Sequence, residues 1–151
     1  MAGLLIAPAP VDAVAAELHR WAAEPFDLAA ANCGLSVMAY VARVTGLPVP
    51  AWLYGLGRRG AAELMHSDAR FAAVAARALA GMGCPETAAP RHGDVALVHL
   101  ANSGLLTACI RAGALWAARG ERSAELGPGT VLKAWSVVAV RRRGRVSCRR
   151  H

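Results

Sequence analysis

The sequence changes its periodicity once, between Gly81 and Pro90, and this change limits the folds open to the chain. Before it, apolar residues recur at the spacing of helices. After it, segments such as 95–99 and 131–140 carry the short apolar runs of strands, separated by turn residues. Helices first and strands second predict an α+β fold, with N-terminal helices packed on a C-terminal antiparallel sheet. The length of 151 residues fits one domain, which we place at residues 1–140.

The helical half is marked by residues that favour helix ends. Asp12, Asn32 and Ser67 are each suited to an N-cap, because a short side-chain oxygen can accept a hydrogen bond from an N–H of the first turn. Residues 46–60 contain several glycines and prolines, and we predict a loop there. The predicted helices run from Asp12 to Pro25, from Asn32 to Gly46, from Gly60 to Met65 and from Ser67 to Gly81.

The second half is predicted to form a meander of strands. The first strand begins at Val95, after the turn Arg91–Asp94, and both of its faces are apolar, as in a buried strand. Residues 120–129 are predicted to be a polar loop. The remaining predicted strands are Leu105–Arg111, a short one around Leu115–Trp116, and Val131–Val140.

The net charge of +7 is concentrated in residues 141–151. These residues hold six arginines, which leaves 11 basic and 10 acidic side chains in residues 1–140. Such a basic tail can bind an acidic partner, an anionic surface or nucleic acid, or it can serve as a solubilising extension. No aromatic residue lies among these arginines, so base stacking is not expected and nucleic acid is the least favoured partner.

Several classes of protein are excluded by what the sequence lacks. No run of 18 apolar residues is free of charge, so no membrane span is predicted. Residues 1–10 lack a basic start, so no signal peptide is expected, and the four cysteines are therefore expected to be reduced. Neither a C-x-x-C pair nor another spacing of metal ligands is present, and no metal or cofactor is predicted. The glycines of residues 55–60 follow no strand, so they do not indicate a phosphate-binding loop.

Cys33 is the residue whose position most favours chemistry. It lies in the first turn of the second predicted helix, where unpaired N–H groups and the helix dipole stabilise a thiolate. The alternative is that Cys33 is a small buried core residue, which is the more common role of a single cysteine. Position alone leaves both interpretations open.

Three short segments, taken in order, resemble the NlpC-like cell-wall peptidases, which have a papain-like fold. Residues 25–27 followed by Asn32-Cys33 are similar to the start of that family's nucleophile helix. Residues 91–98 are similar to its first sheet strand. Ala134-Trp135-Ser136-Val137 resembles the closing segment of a small branch found in phages, prophages and gene transfer particles. The resemblance extends from Trp21 to Val138 and implies a papain-like fold and a phage context.

The catalytic positions of that family are only partly retained. The family has Asp before its nucleophile, where this chain has Asn32. The resemblance places Leu106 at the position of the family's general base, which is a His. The third polar residue would fall near Trp116-Ala117, and neither side chain can orient a base. A cysteine without a base within hydrogen-bonding reach is a poor catalyst of acyl transfer.

His99 is the candidate replacement for the missing base. If the turn at residues 102–104 makes His99 and Leu106 a directly opposed pair, their Cβ atoms lie about 5 Å apart on one face of the sheet. His99 could then reach Cys33 from the neighbouring strand. The other histidines of the N-terminal 140 residues are expected at the surface: His19, His66 and His92.

Two functions follow as expectations. The first is a structural or adaptor component of a phage-type tail or tail tip, made in the bacterial cytoplasm and bound to other tail proteins through the 46–60 loop and the 141–151 tail. The second is an active cysteine peptidase or amidase that cleaves peptidoglycan peptides, with Cys33 as nucleophile and His99 as base. The missing family residues favour the first, and whether the chain is an enzyme stays open.

Overall fold

The computed structural model describes residues 12–27 and 32–137, which form helices followed by one antiparallel sheet. The helices are α1 (Ala13–Ala23), α2 (Cys33–Thr45), α3 (Ala51–Tyr54), α4 (Gly57–Leu64) and α5 (Asp68–Gly81). The strands are β1 (Val95–Leu100), β2 (Leu106–Ala112), β3 (Leu115–Arg119), β4 (Ala124–Gly127) and β5 (Gly129–Trp135). The predicted α+β fold class is therefore confirmed.

The predicted helix ends are confirmed at the capping residues. The side chains of Asp12, Asn32 and Ser67 each accept a hydrogen bond from a backbone N–H of the first turn, at distances of 2.9, 2.8 and 3.2 Å. Gly46 ends α2 in the left-handed conformation, with φ of 80°. The first helix ends two residues before Pro25, whose ring excludes the preceding residue from helical geometry. Local capping chemistry thus sets where the main helices begin and end.

The sheet has the strand order β4-β3-β2-β1-β5, with β1 between β2 and β5. In the β1–β2 hairpin, Val95 lies opposite Ile110 and His99 lies opposite Leu106. Residues 95–98 are all almost fully buried, which confirms that both faces of β1 are apolar. The side chains on one face belong to the main core with the helices, whereas those on the other face form a second apolar cluster.

Helix α2 lies at the centre of the main core. Its apolar side chains include Val37, Val41 and Val44, which lie on one face of the helix and are buried. Helix α1 packs beside it and is joined to it by a bidentate ion pair, in which the Arg43 guanidinium donates to the buried Glu17 carboxylate at 2.8 and 2.6 Å. Because the buried charge is fully paired and hydrogen-bonded, it does not oppose the packing of the two helices.

The turn before β1 ties α2 to the sheet. The Tyr40 hydroxyl donates to the Gly93 carbonyl at 2.6 Å. The buried Asp94 carboxylate accepts from the N–H of Arg91 at 2.8 Å and from the N–H of Val137 at 3.2 Å. One turn therefore connects the central helix, strand β1 and the segment that follows β5.

The prediction of a loop over residues 46–60 is wrong. Helix α3 and the start of α4 lie in this segment. Leu53 is buried in the main core and Trp52 packs against it. Burial of these apolar side chains outweighs the weak helix propensity of the glycines. Gly57, with φ of 64°, allows the chain to change direction between the two helices.

Two predictions in the strand region are also wrong. Residues 120–129 contain β4, whose alanine, glutamate and glycine have low strand propensity and are held by pairing with β3. The last strand is Gly129–Trp135, so it begins earlier than predicted and ends before Val137. Gly129 allows this pairing, because a Cβ there would lie 2.5 Å from a methyl carbon of Val98. Residues 138–140 and the 141–151 tail lie outside the described residues.

We expect Asp94→Ala to lower the free energy of unfolding by about 3 kcal/mol, because two N–H groups lose their acceptor. Asp94→Asn keeps one acceptor oxygen and should cost less. Glu121→Ala, at an exposed position, is the control and should change stability by less than about 0.5 kcal/mol. Urea denaturation followed by circular dichroism measures all three. Equal stability of wild type and Asp94→Ala would contradict the role given to this turn.

Candidate functional site

Cys33 is the first residue of α2, as predicted, and its thiol lies against strand β2. The residue as a whole keeps partial exposure, but burial of its thiol raises the pKa above the ordinary value of 9.0. The N–H groups of Ala108, Gly34 and Cys33 itself hydrogen-bond the sulfur and oppose this shift. Desolvation outweighs the N–H groups, so the thiol is protonated at neutral pH.

The pairing of strands β2 and β3 ends next to Cys33. The N–H of Arg111 donates to the carbonyl of Asp94 on the β1 side, so by alternation the N–H of Ala108 points away from β1 towards β3. The β2–β3 register ends at Ile110 and Ala117, two residues before Ala108 would meet Arg119. The N–H of Ala108 is therefore outside the β2–β3 pairing and interacts with the Cys33 sulfur, which lowers the pKa of the thiol by less than burial raises it.

Apolar side chains form the β2 wall of this site. Leu106 and Ala108 are 8% and 4% exposed and belong to the main core. They share one face of β2 because alternate residues of a strand point the same way. The wall therefore offers no side chain that could take a proton from the thiol.

His99 lies directly opposite Leu106, which confirms the hairpin register on which its candidacy depended. Its Nε2 is hydrogen-bonded to a carboxylate oxygen of Asp68, the first residue of α5, at 2.9 Å. The two side chains are 35% and 56% exposed. Among the described residues, no hydrogen bond joins His99 to Cys33, so the imidazole pairs with a carboxylate and the thiol with backbone N–H groups.

Arg119 is a buried residue of this region to which the sequence had assigned no role. Its guanidinium donates to the Ser36 hydroxyl at 3.3 Å and to the Glu24 carbonyl. It therefore joins the end of α1 to the first turn of α2, and its Nε has no hydrogen-bond partner within the described ranges. The sequence signal that could have identified Arg119 is a charged residue in an otherwise apolar strand segment. Asp68 was not predicted, because a carboxylate at the start of a helix does not indicate that it pairs with a histidine distant in the sequence.

The remaining predicted positions have structural roles. Trp116 and Ala117 are buried on opposite faces of β3, in the second cluster and in the main core. His19 and His66 are exposed, as expected. His92 is exposed but bonded, because its Nδ1 accepts from the N–H of Gly113 at 2.8 Å and its Nε2 lies 2.9 Å from the Asp12 carboxylate.

The described cysteines are all free thiols: Cys33, Cys84 and Cys109. Burial raises the pKa of Cys84 to about 11 and that of Cys109 to about 12. Within residues 12–27 and 32–137, no three His, Cys, Asp or Glu side chains are grouped so as to hold a metal ion. None of the helices in those ranges is long and apolar enough to cross a membrane.

Residues 10–137 match the family described as "Domain of unknown function (DUF6950)", and the chain belongs to this family. The match covers α1 through β5. A search of curated proteins and a search of solved structures each gave no match.

We expect Cys33 in the native protein to react with iodoacetamide at neutral pH about tenfold or more slowly than in the unfolded chain. Its raised pKa leaves little thiolate, which is the reactive form, and the rate should keep rising as the pH passes 9.0. Peptide mass spectrometry reports each cysteine separately.

Leu106→His serves as the matched positive variant, because it places an imidazole on the wall that faces Cys33. It should accelerate labelling several-fold, whereas Leu105→His, at the exposed neighbouring residue, should not. Native Cys33 that reacts as fast as the unfolded chain would contradict the buried, protonated thiol.

Proposed function

We propose that the chain is a non-catalytic adaptor with a papain-like fold, used as a component of a phage-type tail or tail tip. The observation that carries the proposal is the apolar wall at Leu106 and Ala108, beside a thiol whose pKa is raised. Leu106 is the position at which the resemblance to the NlpC-like peptidases places the general base. A peptidase ancestor that lost its base would leave this arrangement.

The order of the elements supports the papain-like part of the proposal. A helix that begins with a cysteine precedes an antiparallel sheet, and its first turn lies against the second strand. Asn32 caps this helix where the family has an aspartate. The capping bond keeps the nucleophile helix in place without a catalytic partner, so the fold can persist after activity is lost.

Exposed apolar side chains supply the surface that an adaptor needs. Tyr54 at the end of α3, Leu47 before α3 and Met65 after α4 are 49%, 40% and 56% exposed, and we call them the α3–α4 surface. Trp52 lies under the Arg77 guanidinium, with 4.1 Å between its carbon and the ring centroid. Exposed aromatic and arginine side chains are typical anchors of protein interfaces. We place the contact with other tail proteins here and in the 141–151 tail.

Particle association is the first test. The tagged chain should co-sediment with phage-type particles from its own bacterium. A Tyr54→Ser, Met65→Ser double variant should reduce its occupancy about fivefold or more, because exposed anchors are removed. Leu105→Ser is the matched control, since Leu105 is 55% exposed but lies at the β1–β2 turn. Deletion of residues 141–151 tests the tail separately. A wild-type chain that never sediments with particles would refute the adaptor role.

The second candidate function is a cysteine hydrolase of peptidoglycan peptides, with Cys33 as nucleophile and His99 as base. The hydrogen bond between His99 and Asp68 favours it, because a carboxylate commonly orients a catalytic imidazole. Activity would require the imidazole to reach the thiol and to compensate for its burial.

Peptidoglycan digestion separates the two functions. We expect wild type, Cys33→Ala and His99→Ala to release equally little peptide, because no base contacts the thiol. Mass spectrometry of the soluble fragments measures the release. Wild-type release that both substitutions abolish would overturn the adaptor proposal and establish the hydrolase.

A further inference from the structure

An apolar cavity of about 60 Å³ lies between helices α2, α4 and α5 and the sheet. None of its lining side chains carries a charge, and the polar one, Asn32, uses its side-chain oxygen to cap α2. Among the larger lining side chains are Leu64, Phe71, Val74, Leu79, Val95 and Trp135. A charged group inside such a wall would lose its hydration without compensation, so an occupant must be uncharged there.

The cavity is partly open to solvent, and it is larger than the gaps that ordinary packing leaves. Protein interiors contain few voids larger than a water molecule. One water-sized group needs roughly 10–15 Å³ of such space. The cavity therefore has room for roughly four to six groups of that size, arranged against an apolar wall.

Small residues keep this space open, and helix α4 covers it without filling it. Ala75 and Ala78 of α5 and Ala61 of α4 line the cavity, where larger side chains would occupy it. Gly57, Ala61 and Leu64 present one face of α4 to the cavity, yet none of the residues of α4 is buried. Helix α4 is thus a loosely packed wall of a pocket that is partly open to solvent.

We propose that this cavity binds an uncharged alkyl group of about four to six carbons. The group can belong to a small neutral molecule, or it can be the end of a longer amphiphile whose polar head stays outside. Both sources share the chemistry that the wall recognises. The site is independent of the proposed function, because it requires neither particle assembly nor Cys33.

The test is a titration of the full-length protein with n-alkanols and with n-alkanoates of increasing chain length, followed by methyl NMR. We expect the methyl signals of Leu64, Val74 and Leu79 to shift. Affinity for alkanols should rise about fourfold with each methylene and level off near six carbons. Binding of long alkanoates would identify the end of an amphiphile as an occupant, whereas binding of alkanols alone would restrict the site to neutral molecules.

Variants that fill the cavity decide whether the shifts come from it. Ala75→Leu should weaken hexanol binding at least about tenfold, because its added carbons take the space of the ligand. Ala61→Leu, on the loosely packed helix, tests the same point if the first variant does not fold. Ala73→Leu, exposed on α5, is the matched control and should bind as wild type does. Unshifted methyl signals in wild type, or unchanged affinity in a folded filling variant, would overturn the proposal.

Discussion

The structure depends on the hydrogen bonds that fix the turn at residues 91–94. Tyr40 reaches this turn from the middle of α2, and Asp94 holds both the turn itself and the N–H of Val137 beyond β5. The main core forms where α2 packs across β2 and β3, and these bonds fix where along the sheet the helix lies. Apolar burial supplies most of the stabilisation but has little directionality, so the few buried polar contacts select one arrangement among several that would bury similar area.

The same placement of α2 explains why the Cys33 thiol is protonated. With the helix fixed over β2, its first residue meets the sheet at the point where β3 separates from β2, and the thiol takes the free N–H of Ala108. This contact satisfies a backbone donor that would otherwise be costly to bury. It also desolvates the sulfur, which disfavours the thiolate. The buried contact that stabilises the fold favours a protonated thiol, whereas reactivity requires a thiolate. The apolar side chain of Leu106 keeps the surroundings of Cys33 suited to the protonated form.

The sequence predicted those parts of the fold that depend on local chemistry. Asp12, Asn32 and Ser67 could be assigned because capping involves only one helical turn, and the opposed pair of His99 and Leu106 followed from a short hairpin. Strand β4 could not be predicted, because its residues have low strand propensity and become a strand only by pairing with β3. The site was predicted at Cys33, but the partners of its neighbourhood were not. Asp68 meets His99 across 31 residues and Arg119 meets Ser36 across 83, and no local pattern encodes such contacts.

The segment with α3 and α4 is where the local preferences of the sequence and the fold disagree most. Gly57 and Gly60 weaken α4, and the apolar space beneath the segment leaves its lining side chains with fewer packing contacts. A chain selected for stability alone would gain from a larger residue than Ala61, which lines this space. Gly60 is needed for packing, because a Cβ there would lie 2.8 Å from the Cβ of Leu56. Retaining Ala61 leaves open apolar space on the inside of the segment, and apolar side chains are exposed on its outside. Departures of this kind from local consistency are typical of functional regions. The segment therefore has a stronger claim to carry function than Cys33, whose contacts are fully explained by the fold.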